Sequence, residues 1–122
     1  MTNGGTGERR AGGCHCGAVR YEVEGAFDKG VTCNCSMCQA KGTVLAFAPA
    51  SAFRLLKGED RLTEYRFNTN RIAHLFCAVC GVQSFARGAA PDGTATVAVN
   101  LRTIDGIDLD AIETQHFDGR SK

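Results

Sequence analysis

Seven cysteines in three short clusters constrain this 122-residue chain more than any other feature. The clusters are Gly13-Cys14-His15-Cys16-Gly17, Cys33-Asn34-Cys35-Ser36-Met37-Cys38 and Cys77-Ala78-Val79-Cys80-Gly81. An odd number of cysteines does not suit a fully paired disulfide framework, and clustered thiols in a reducing compartment point to metal or catalysis. Zinc takes thiolates at about 2.3 Å in a tetrahedron, and a CxxC turn offers two sulfurs from one loop. A glycine after the second cysteine lets the chain turn away through positive φ. Buried structural cysteines, or one disulfide with free thiols, are the competing readings. The repeated short spacings favour metal.

Residue chemistry alone leaves two partitions of the seven sulfurs. In one, Cys35/Cys38 joins Cys77/Cys80 as a zinc ribbon, leaving Cys14, Cys16 and Cys33 over. In the other, Cys14/Cys16 joins Cys77/Cys80, and Cys33, Cys35 and Cys38 hold a second ion. The second partition uses every sulfur and leaves three ligands around an ion with an open position, the usual arrangement of a catalytic zinc.

Composition narrows the function classes. The net charge of +1 and the lack of a basic stripe argue against a nucleic-acid partner. No apolar run approaches the roughly 20 residues that a membrane helix needs. The opening MTNGGTGERRAGG lacks the apolar segment of a secretory signal, so the expected location is the cytoplasm.

The periodicity is mostly that of strands. Ala18 to Glu24 alternates, placing Val19, Tyr21 and Val23 on a core face. Thr43 to Ala48 reads as a buried strand stopped by Pro49, followed by one helical turn and a short strand from Phe53 to Leu56. Leu62 to Phe67 and Ile72 to Cys77 flank an Asn-rich turn and predict a hairpin. Ser84 to Arg87 is short. Thr94 to Leu101 predicts a strand with Val97, Val99 and Leu101 on one face, and Leu109 to Glu113 a turn of helix. The expected organisation is a flexible residues 1–12 and a single domain over residues 13–122. The first and third clusters fall at strand ends and turns, and Cys33 to Cys38 in a loop.

GGCHCGAVRYEVEG, TCNCSMCQAKG and RIAHLFCAVCG together resemble the glutathione-dependent formaldehyde-activating enzyme family, which includes centromere protein V-like domains. The closing HFDGR is similar to that family's last segment, so the resemblance spans roughly residues 12 to 120. It implies a mostly β fold: a zinc-bearing β-tent of several small antiparallel sheets with few short helical turns. It implies two Zn²⁺ sites. Cys14, Cys16, Cys77 and Cys80 would hold a structural zinc, and Cys33, Cys35 and Cys38 a catalytic zinc that need not be fully occupied. It also implies a carbon–sulfur lyase acting on an adduct of an aldehyde, formaldehyde above all, with glutathione or another small thiol as co-substrate.

Three thiolates on one Zn²⁺ leave a net charge of −1, so nearby cations are expected. Lys41, Arg71 and Arg102 could meet glutathione's carboxylates, although each taken singly reads as solvated surface charge. His15 lies between two ligands and should point away from them. His74 alternates with Ile72 and Phe76 and reads as a packed histidine. His116 reads as a surface or capping residue that could approach the site. Ser36 and Met37 would contribute backbone amides to sulfur. Two other function classes fit the same residues: a non-catalytic zinc module that binds a protein or nucleic acid, and a redox sensor whose cysteine triple loses zinc on oxidation.

Overall fold

A computed structural model describes residues 8–25, 27–33, 36–66, 72–90 and 92–118. Its strands form two sheets. In the smaller, β1 (Glu8–Gly13) and β5 (Phe53–Lys57) flank β2 (Arg20–Gly25), both antiparallel to it. The larger has seven strands in the order β10-β3-β4-β9-β8-β7-β6. They are β3 (Lys29–Cys33), β4 (Leu45–Pro49), β6 (Leu62–Tyr65), β7 (Ala73–Cys77), β8 (Gln83–Ala89), β9 (Ala95–Asn100) and β10 (Glu113–Phe117). Every pair in it is antiparallel except β10 with β3. Helix α1 (Ser36–Lys41) and four single 3-10 turns complete the described residues.

The strands form where alternation allows one face to be buried. Val19, Tyr21 and Val23 are buried on the small sheet, and Val97, Val99 and Leu101 on or just after β9, as the period of two predicts. All but Val19 meet Leu75 and Phe85 in one core between the sheets. The Phe85 ring lies 4.6 Å from Phe53 and 6.5 Å from Tyr21, centroid to centroid. Burial pushes the Tyr21 phenol up to about 12, so it stays neutral, and its hydroxyl lies 2.8 Å from Thr103 Oγ1. A smaller apolar cluster of Val19, Leu55, Leu62 and Val82 underlies Cys14, Cys77 and Cys80.

The mostly β class with few helical turns is the expected one, with four differences in detail. One sheet is large rather than small, and its C-terminal strand is parallel to its neighbour. The flexible stretch expected to run to residue 12 is corrected for residues 8–12. They pair with β2 from Glu8↔Gly25 to Gly13↔Arg20, because backbone pairing asks little of polar side chains. Residues 1–7 lie outside the described residues. The strand around Leu45 includes Pro49 and is buried on one face only, since Phe47 is 62% exposed. Finally, Cys33 to Cys38 is not a plain loop: Cys33 ends β3 and Cys38 belongs to α1.

The Leu62–Cys77 hairpin forms with Leu62↔Cys77 and Tyr65↔His74 in register, while its turn at residues 67–71 lies outside the described residues. A register irregularity between Leu75 and Phe76, opposite Phe85 and Gln83, lies just before the third cysteine cluster. No described helix is long and apolar enough to cross a membrane.

Candidate metal centre

The first and third cysteine clusters converge, each on a tight turn at a strand end. Cys14 follows β1. Its amide donates to the Val19 carbonyl at 3.1 Å, and the Val19 amide returns to Cys14 Sγ at 3.3 Å. Cys77 ends β7. Its amide donates to the Val82 carbonyl at 3.0 Å, and its sulfur accepts from the amides of Val79 at 3.3 Å and Cys80 at 3.5 Å. Each turn leaves its second cysteine through a glycine of positive φ, 83° at Gly17 and 82° at Gly81, which side chains with a Cβ rarely adopt.

The four sulfurs of Cys14, Cys16, Cys77 and Cys80 lie within 4.8 Å of one another. Cys14 and Cys16 are 3.6 Å apart, and Cys16 and Cys77 are 3.7 Å apart. A tetrahedral zinc with bonds of about 2.3 Å separates its sulfurs by about 3.8 Å. A disulfide would need about 2.05 Å, and all four cysteines are free thiols. Amide donors to sulfur stabilise thiolate, and Cys14 and Cys77 are buried on the apolar side of the cluster. Donor set, spacing and second-layer hydrogen bonds all fit zinc.

Cys14, Cys16 and Cys80 differ in how readily they give up their protons. Amides of Val82 and Cys16 lower Cys80 to about 6. For Cys14, burial pushes the thiol up, but the Val19 amide and the thiols of Cys16 and Cys77 outweigh it and the net direction is down. The Ala18 amide pulls Cys16 down, yet desolvation and the three other cysteines carry it up to about 11. At pH 7 Cys80 is therefore already ionised, whereas Cys16 must give up a proton to any metal that binds. Zinc affinity should fall as pH falls below about 11, where Cys16 holds its proton, and more steeply below about 6 where Cys80 also protonates. Competition with a calibrated chelator across that range measures the slope. A flat profile would contradict these proton assignments.

Among the described residues Cys77 and Cys80 meet Cys14 and Cys16, which is the grouping that the second of the two partitions gives these four sulfurs. Cys33 lies elsewhere, at the end of β3 and half-buried, opposite Phe117 of β10. Cys35 lies outside the described residues. Cys38 is the third residue of α1.

The other expected residues have definite places. His15 is exposed and outside the sulfur group. His74 is buried on β7, and burial together with the Lys41 ammonium holds its imidazole below the ordinary value. Lys41 Nζ donates to Gln83 Oε1 at 2.5 Å and lies 5.1 Å from the centroid of the Phe76 ring. Arg102 Nε donates to the Gly42 carbonyl at 3.1 Å. Arg71 lies outside the described residues. His116 Nδ1 is 3.2 Å from Thr32 Oγ1, next to Cys33.

Sequence reasoning missed the buried pair Gln83 and Asn100, whose Nδ2 donates to the Gln83 carbonyl at 2.9 Å. It also missed the amides of Val19 and Val82. A main-chain donor leaves no mark in residue type, so only coordinates could reveal these last two.

Two comparisons with known proteins bear on the fold and the family. A solved structure of a Rhodobacter sphaeroides protein superposes with a TM-score of 0.74 at 32% identity, covering 86% of this chain and 99% of its own. The family profile described as glutathione-dependent formaldehyde-activating enzyme matches residues 9–117, which include all seven cysteines. With the fold and the four-cysteine cluster in place, the chain belongs to the glutathione-dependent formaldehyde-activating enzyme family.

Proposed function

We propose that this protein is a zinc-dependent carbon–sulfur lyase that handles the adduct of formaldehyde with glutathione or another small thiol. Cys14, Cys16, Cys77 and Cys80 hold a structural zinc in this reading, and Cys33, Cys35 and Cys38 hold a catalytic one. The observation that supports it is the division of the sulfurs. Four described sulfurs gather at one centre, and Cys33, Cys35 and Cys38 follow one another closely in sequence between the end of β3 and α1.

A zinc held by Cys33, Cys35 and Cys38 would supply Lewis acidity that keeps a thiol ionised near neutral pH. The chain's own residues supply the setting. Cys33 holds one edge of the triple on a strand fixed from both sides by β10 and β4. Lys41 stands three residues after Cys38 on α1 and is tethered to buried Gln83. Its charge would offset the net −1 of three thiolates with Zn²⁺. In the forward direction a carbon–sulfur bond forms between thiolate and carbonyl carbon, and the resulting alkoxide takes a proton. The reverse direction cleaves that bond, and no electron transfer occurs in either.

The test is formaldehyde consumption by zinc-loaded protein across several thiols. Cys35→Ser should lower the thiol-dependent rate by on the order of 100-fold, beyond the effect of disturbing a ligand's neighbours. A wild-type rate no greater than the uncatalysed one with every thiol would sink the proposal and leave a zinc module that binds a protein or nucleic acid.

A further inference from the structure

We infer that a groove across β10, β3 and β4 receives the amino-acid head of the thiol substrate, with Lys29 taking its carboxylate and Glu113 its ammonium. The inference rests on the function proposed above. The groove encloses about 270 Å³, just under the usual range for small-molecule pockets and of a size for part of a peptide. Val31, Leu45 and Phe47 give it an apolar floor and side, and Gln115 a polar edge.

Strand register places these residues on one face. Glu113 is the parallel partner of Lys29, Gln115 of Val31 and Phe117 of Cys33. Paired residues on neighbouring strands point the same way, and so do residues two apart along a strand. Cys33 therefore lies two residues beyond Val31 on the grooved face, about 7 Å along β3. Lys29 and Glu113 lie at the far end, about 13 Å from Cys33 by the same count. This is the reach of a short extended peptide arm plus two charged side chains.

Charge complementarity selects the occupant. Lys29 and Glu113 stand on adjacent strands, about 4.8 Å apart in backbone spacing. Arg9 pairs with Glu24, Arg20 with Asp105 and Arg66 with Glu64, whereas no ion pair joins Lys29 to Glu113. One cation beside one anion, both exposed, matches a carbon that carries both an ammonium and a carboxylate. A γ-glutamyl end has that pair. A simple thiol such as 2-mercaptoethanol has neither charge and would gain nothing from the groove.

The probe is S-methylglutathione, which retains the head and has no free thiol, titrated into zinc-loaded, isotope-labelled protein. Saturable amide shifts at Val31, Leu45 and Gln115 are expected. Lys29→Glu should weaken binding by about tenfold and Glu113→Gln by about threefold, while Lys57→Glu on the other sheet leaves it unchanged. Wild-type affinity in both groove variants, shifts confined to another surface, or no saturation at millimolar probe would overturn the inference. So would a concentration-dependent doubling of mass that protects the groove, since the occupant would then be a second copy. Parallel assays with glutathione and 2-mercaptoethanol separate the two proposals. Probe binding without turnover of either thiol refutes the lyase and keeps the groove. Turnover of both thiols with no effect of Lys29→Glu on the KM for glutathione refutes the groove and keeps the lyase.

Discussion

Cys80→Ala should yield insoluble or unfolded protein, whereas Cys35→Ala should yield a folded one that has lost a zinc equivalent. Cys16 and Cys77 lie 61 residues apart in sequence and 3.7 Å apart in space, so an ion there joins the turn after β1 to the turn after β7. A structural zinc of this type contributes on the order of 10 kcal/mol. The whole stability of a domain this size is about 5–15 kcal/mol, so loss of the ion removes most of it. The apolar cluster beneath the cysteines is small, and Cys14 and Cys77 are themselves part of it. It does not replace the ion. Cys35 lies outside the described residues, and four other sulfurs already suffice for a tetrahedral ion without it. Soluble yield, far-UV circular dichroism and zinc per chain by elemental analysis are the measurements. Equal damage from the two substitutions would contradict the division into structural and catalytic sites.

Phe85→Ala should cost about 3–5 kcal/mol and lower Tm by roughly 10–20 °C, yet leave zinc content intact below the transition. Phe85 is fully buried, and its ring packs against the stacked rings of Phe53 and Tyr21 where the two sheets meet. No neighbouring side chain can fill the cavity without leaving its own contacts. Phe47→Ala is the paired measurement. Phe47 belongs to the same large sheet but projects from the opposite face, 62% exposed, and should change stability by no more than about 0.5 kcal/mol. Denaturant titration at saturating zinc compares them. A similar loss from both would mean that the grooved face is covered by another chain.

Much of the fold was legible because burial leaves a period in the sequence. Tyr21 and Val23, and Val97 and Val99, face the core at every second position of β2 and β9. The Leu62–Cys77 hairpin was legible from two such runs around an Asn-rich turn. The elements that escaped share a different physics. In β1, Glu8-Arg9-Arg10-Ala11-Gly12-Gly13 carries no alternation, and β10 is exposed along its whole length. Both are held by main-chain hydrogen bonds, β1 to β2 and β10 to β3, and such bonds leave no mark in residue type. Phe47 misled for the reverse reason: an apolar run looks buried on both faces, but only one face of β4 meets the core.

By itself, the sequence determined the chemistry available: thiol clusters spaced for zinc, glycines that let each knuckle turn away, and a run of short strands to carry them. The tertiary structure alone decided which sulfurs share a centre and which amides tune them. It also put Lys29, Glu113 and Cys33 on one face of one sheet. Spacing along a chain records what a loop can do locally. Proximity between residues 14 and 80, or 29 and 113, depends on how strands are ordered in a sheet, and that order is set by packing and pairing summed over the whole molecule.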